Sequence, residues 1–156
     1  DDPPFPILGL PRVVSSADDI SEILDFVKSP SNGITFCTGS FGASAAIDLM
    51  EMAEQFADQI HFLHFRNVQL EDDGSFYETE HLEGSSKIAG VMNSMITSKK
   101  LSAKQIIPVR PDHGHKMLFE LDTDTVNPGY SLIGRLKGLS ELRALETGLR
   151  YNNNQN

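Results

Sequence analysis

At 156 residues, with 39% hydrophobic and 22% charged side chains, the chain is one ordinary globular domain by length and long enough to bury a core. Its formal charge of −9 excludes the basic face that a nucleic-acid partner requires, and no apolar stretch approaches the ~20 residues of a membrane span. A single cysteine excludes an internal disulfide, and Asp1-Asp-Pro-Pro4 has neither the basic nor the apolar segment of a leader, so a cytoplasmic location is expected.

The chain opens on a loop, Asp1 to Pro11, with four prolines. Ser15-Ser-Ala-Asp-Asp-Ile20 then starts a helix, with a serine cap and acids in its first turn. Ile20, Ile23, Leu24 and Val27 form its core-facing stripe, and Ser29-Pro-Ser-Asn-Gly33 stops it. The apolar run Ile34 to Thr38 predicts a strand, followed by the turn Gly39-Ser-Phe-Gly42 and a helix from about Ala43 to Ala57. A second strand is expected over Ile60 to Val68. A polar loop from Gln69 to Gly84 separates it from a helix around Ser86 to Ile96, which carries Ile88, Val91, Met92 and Met95 on one side. A third strand, Ile106 to Val109, leads into Pro111-Asp-His-Gly-His115. A long loop then reaches Asn127-Pro-Gly-Tyr-Ser131, and a last helix runs from about Leu132 to Leu149.

Helices and strands that alternate in this way imply a parallel α/β sheet with right-handed crossovers. The loops after the strands are longer and richer in functional groups than those after the helices, as at the active face of a TIM barrel. Three or four βα units are half of eight. The expected fold is therefore the C-terminal half of a (β/α)8 TIM barrel, with residues 1–150 a single partial domain and 151–156 a polar tail. A small doubly wound sheet is the alternative.

Three strands end in residues that can hold a metal: Cys37, His64 and Asp112. Side chains two apart share a strand face, which groups His64 with Phe62 and Arg66, and Asp112 with Arg110 and Ile106. All three candidates can therefore point to one barrel mouth. Taken singly, a strand Cys is more often a small buried hydrophobe, a strand His is more often a satisfied core residue, and Asp112-His-Gly-His115 reads equally as a turn. Together they form a mixed donor set of the kind a divalent transition metal takes, with a thiolate favouring Fe, Mn-like or Zn ions over Mg or Ca. Tyr130, in a Pro-Gly-Tyr turn before a helix, is placed either to move protons or to pack the loop.

Thr35-Phe-Cys-Thr-Gly-Ser-Phe-Gly42, His61-Phe-Leu-His-Phe-Arg-Asn67, Arg110-Pro-Asp-His-Gly-His115 and Asn127-Pro-Gly-Tyr-Ser-Leu-Ile-Gly-Arg-Leu-Lys-Gly138 resemble, in order, the motifs of the mannonate dehydratase family. The resemblance extends to the opening Asp1 to Arg12. It implies a barrel of the xylose-isomerase-like type and a carbon–oxygen hydro-lyase that converts D-mannonate to 2-keto-3-deoxy-D-gluconate in hexuronate breakdown. By the same resemblance, Cys37, His64 and Asp112 hold Mn²⁺ or Fe²⁺, and a fourth ligand, a His in a His-Pro pair, lies directly upstream of Asp1. The resemblance also implies that His113 and Tyr130 are the acid–base pair. Arg66 and Arg110 are then expected to clamp the sugar acid or to form an ion pair inside the barrel mouth, and His81 in the long loop either covers the substrate or is a solvated loop histidine. It implies a homo-oligomer for the complete protein, with no nucleic-acid or membrane partner, and no activity for this stretch alone. A metal-dependent sugar isomerase or epimerase of the same barrel type, and a non-catalytic barrel fragment, are the alternatives.

Overall fold

A computed structural model describes residues 5–102, 105–122 and 124–155. The first residues of the proline-rich loop, Asp1 to Pro4, and the end of the expected tail, Asn156, lie outside the described residues.

The first helix, α1 (Ala17–Phe26), starts where the capping pattern predicts. The Ser16 hydroxyl accepts from the Asp19 N–H at 3.2 Å, while the Asp19 carboxylate accepts from the Ser16 N–H at 2.9 Å. Ile20 and Leu24 bury its inner face. The strands β1 (Ile34–Cys37) and β2 (Ile60–Phe65) pair in parallel, as the alternation of helices and strands requires.

Between them the sequence expectation needs two corrections. Gly39-Ser-Phe-Gly42 is not an open turn but part of a one-turn helix, α2 (Thr38–Gly42), and the helix expected over 43–57 begins only at α3 (Leu49–Gln55). Asp48 sets that start. Its carboxylate accepts from the Met50 and Glu51 N–H groups at 2.9 and 3.1 Å, an N-cap that satisfies two backbone donors.

The strand expected over 60–68 stops at Phe65. The Thr38 hydroxyl accepts from the Arg66 N–H at 3.0 Å and lies 2.6 Å from the Arg66 carbonyl oxygen, so both backbone groups that a longer ladder would use are already taken. The chain turns away, and β3 (Val68–Leu70) folds back on β4 (Phe76–Glu78) as an antiparallel hairpin inside what reads as a polar loop. Asn67 anchors this hairpin. Its amide donates to the Glu80 and His81 carbonyls, both at 3.2 Å, and its carbonyl accepts from the Ser86 N–H at 3.1 Å.

Helix α4 (Ile88–Thr97) buries Ile88, Val91, Met92 and Met95, the side predicted. The third strand of the sheet is β5 (Val109–Pro111), shifted toward the C-terminus from the expected Ile106–Val109. The Pro108 carbonyl accepts from the Leu63 N–H at 3.0 Å, and Ile106 is exposed, so the apolar pair Ile106-Ile107 leads up to the ladder without joining it. Helix α5 (Leu132–Asn153) continues beyond Leu149, so Tyr151 to Asn153 of the expected tail are helical.

Among the described residues the parallel sheet is ordered β1-β2-β5. Phe36, Leu63 and Phe65 turn to its helix side and pack with Met52, Ala53, Val91, Met92 and Leu142. Each such side chain contributes about 1.5–3 kcal/mol on burial, so stability is concentrated on this face and the other face is left for chemistry. The fold is α/β, with parallel βα units in the order of a (β/α)8 barrel.

Candidate active site

The register of the sheet sets the site. Cys37 of β1 lies opposite His64 of β2, and His64 lies opposite Arg110 of β5, so three polar side chains stand abreast at the strand ends. Asp112, two residues past Arg110, reaches back into the same row. Its Oδ1 is 3.0 Å from His64 Nε2, and Arg110 Nη2 is 3.1 Å from that same nitrogen. The Asp112 backbone is fixed by donation of its N–H to the Phe65 carbonyl at 3.2 Å.

Charge within this row is strongly coupled. Burial pushes the Cys37 thiol up, but hydrogen bonding with His64 and Ser40 outweighs burial and holds it below the ordinary thiol value. Burial likewise raises the Asp112 carboxyl, and the His64 hydrogen bond with the charges of His64, His113 and Arg66 brings it below its usual range. The His64 imidazole is raised to about 9, chiefly by its hydrogen bond to Asp112 and then by Cys37. Two anion-forming groups therefore demand a cation between them. A proton on His64 and a divalent ion bound by the same side chains would compete to meet that demand.

Arg66 lies beside this row, in space that exists because residue 39 is glycine. A Cβ at Gly39 would meet the Arg66 Cγ at 2.4 Å. The guanidinium donates from Nε to Glu78 Oε1 at 2.7 Å, with Nη2 2.5 Å from the same oxygen, and Nε stands 3.5 Å from Asp112 Oδ2. The Phe76 ring lies 6.0 Å away.

A short parallel bridge brings His113 and Tyr130 together. The Gly114 N–H donates to the Gly129 carbonyl at 3.0 Å, and the Ser131 N–H donates to the Gly114 carbonyl at 3.2 Å. The rings of His113 and Tyr130 are 5.6 Å apart, and both face a cavity of about 550 Å³ lined also by Glu78, His115, Lys116, Pro128 and Gly129. His113 Nδ1 is 3.5 Å from Asp112 Oδ2, which joins this cavity to the charged row.

Seven of the eight residues singled out from the sequence therefore meet at one end of the sheet: Cys37, His64, Arg66, Arg110, Asp112, His113 and Tyr130. His81 does not join them. It is buried against α5, where a Cβ on Gly138 would fall 2.3 Å from its Nε2, and it lines a neighbouring cavity with Glu80 and Lys137. Sequence reasoning missed Glu78, Asn67 and Arg135, whose guanidinium carbon lies 5.4 Å from the Tyr130 ring centroid.

Two donor groups overlap here. Cys37, His64 and Asp112 form the row, and His64 links the other two. Among the described residues, Glu78, Asp112 and His113 each place a donor atom within 4.8 Å of the other two, which the row does not, since Cys37 is linked to Asp112 only through His64. Asp112 belongs to both. A thiol, an imidazole and a carboxylate drawn together by opposite charge fit a transition-metal ion, whereas in the second group Arg66 already holds Glu78.

A family model described as D-mannonate dehydratase (UxuA) matches residues 1–156. The chain is 51% identical over 150 residues to a mannonate dehydratase from Saccharophagus degradans, covering 93% of this chain and 38% of that protein. It is 52% identical over 154 residues to one from Chromohalobacter salexigens, covering 96% of this chain and 39% of that protein. The crystal structure of mannonate dehydratase from Streptococcus suis serotype 2 superposes with a TM-score of 0.84 at 30% identity, over 97% of this chain and 42% of that one. The chain thus spans about two fifths of the length of these relatives.

Proposed function

We propose, for a chain that belongs to the D-mannonate dehydratase (UxuA) family, that it supplies most of the catalytic face of a metal-dependent sugar-acid dehydratase. The observation that carries this reading is the meeting of Cys37, His64 and Asp112 with the His113–Tyr130 pair at one end of a parallel sheet. The substrate of the complete protein is D-mannonate and the product is 2-keto-3-deoxy-D-gluconate.

Cys37, His64 and Asp112 would hold the metal, Mn²⁺ or Fe²⁺. When bound, the ion supplies positive charge where the sugar acid becomes more negative as its C2 proton leaves. The protein's own groups do the rest. One member of the His113–Tyr130 pair takes the C2 proton. The other gives a proton to the C3 hydroxyl, the C3–O bond breaks, and water departs. The enol left across C2 and C3 then gains a proton at C3 while its C2 hydroxyl gives one up, and becomes the keto acid. With ring centroids 5.6 Å apart the two groups are in contact, so both can address a substrate carbon–carbon bond lying in the shared cavity. Arg110, exposed at the edge of the row, has donors free to meet a carboxylate or hydroxyls. Arg66 spends one edge of its fork on Glu78, so its contribution is a fixed positive charge beside Asp112.

The test is formation of the 2-keto-3-deoxy acid from D-mannonate by the complete protein supplied with Mn²⁺ or Fe²⁺. Formation that stops on chelation and returns with metal supports the reading. Turnover of xylose or another aldose, with none of D-mannonate, replaces it with a sugar isomerase.

A further inference from the structure

The hairpin β3–β4 has no place in a plain βα repeat, yet it delivers one side chain into the charged row. Val68 pairs with Glu78 across the hairpin, and Asn67 holds both ends of the excursion, so the position of Glu78 is fixed by the backbone. Glu78 Oε1 takes the Nε and Nη2 edge of Arg66. Asp112 is a second carboxylate within reach of that guanidinium, 3.5 Å from Nε.

We infer that Glu78 is a positioning residue: it holds Arg66 off Asp112 and so keeps the Asp112 carboxylate free to act with His64 and Cys37 on a bound cation. This rests on the reading of the row as a metal site. An Arg–carboxylate pair prefers two parallel hydrogen bonds, and two carboxylates compete here for one fork. With Glu78 present, the close contact goes to Glu78, and Asp112 keeps its 3.0 Å approach to His64. Without Glu78, Arg66 still lies against the bare backbone of Gly39 and beside the Phe76 ring, within reach of Asp112. A direct Arg66–Asp112 pair would neutralise the carboxylate and block one of its oxygens. Glu78 is a poor ligand itself, because the oxygen nearest His113, at 3.9 Å, is the one Arg66 already holds.

The experiment is titration of the complete protein with Mn²⁺, followed by electron paramagnetic resonance, on wild type, Glu78→Ala, Glu78→Gln, Arg66→Met and the double variant Glu78→Ala/Arg66→Met. Outer partners of metal ligands typically change affinity by 10–100-fold. Glu78→Ala is therefore expected to weaken Mn²⁺ binding by about 10-fold or more. Glu78→Gln, which keeps an acceptor for Arg66, should lose less. The double variant should recover most of the loss, because the competing guanidinium is gone. That recovery is a signature that simple damage to the hairpin would not give. Unchanged affinity in both Glu78 variants, or a loss that Arg66→Met does not relieve in the double variant, overturns the inference. A wild-type protein that binds no Mn²⁺ overturns the metal-site reading and the inference with it.

Discussion

Replacing Tyr130 with Phe, or His113 with Ala, in the complete protein is expected to lower D-mannonate turnover by about 10² or more while leaving bound metal unchanged. Both side chains face the same cavity, and neither belongs to the Cys37–His64–Asp112 row. The Tyr130→Phe change removes one hydroxyl and keeps the ring, so its contact with Arg135 and the packing of the turn survive. Steady-state keto-acid assays with metal analysis of the same preparations check this. Loss of metal with His113→Ala would move that residue into the donor group it shares with Glu78 and Asp112.

The second large effect concerns the joint that sets His113 beside Tyr130. A Cβ on Gly134 would lie 2.3 Å from the His115 carbonyl oxygen, and one on Gly114 would lie 2.2 Å from the Ser131 carbonyl oxygen. Every close atom is backbone, so no rotamer change relieves the overlap. Gly134→Ala is expected to destabilise by about 3 kcal/mol, the upper end for an overpacked site, and to abolish activity by forcing the His113 loop off α5. Gly148, on the same helix with nothing within 4 Å, is the control. Gly148→Ala should stabilise the helix by up to about 1 kcal/mol. Urea denaturation of the three proteins measures the difference.

The parallel order of strands and helices was legible because long amphipathic stretches alternate with short apolar runs. The alignment of Cys37 and His64 followed from the period of two along a strand. Other features follow from single polar contacts that periodicity does not register. The apolar pattern runs on through Val68, yet β2 ends at Phe65 because the Thr38 hydroxyl takes the backbone of Arg66. Glu78 looks like any acid in a polar loop until Asn67 folds that loop back. The hairpin did have a sequence signal, Asp73-Gly74, the pair favoured in tight β turns, set between Val68–Leu70 and Phe76–Glu78. The placement of His81 was not legible either. Its packing partner is the bare backbone of Gly138, and a glycine in a helix gives no sign of what lies against it.

The most direct test is an anomalous-scattering map of the complete protein crystallised with Mn²⁺. A single strong peak against Cys37 Sγ, His64 and Asp112, with His113 and Tyr130 beside it but unbonded, is the expected result. A peak held by Glu78, Asp112 and His113, with Cys37 turned away, would contradict the assignment of the metal row and of the acid–base pair together.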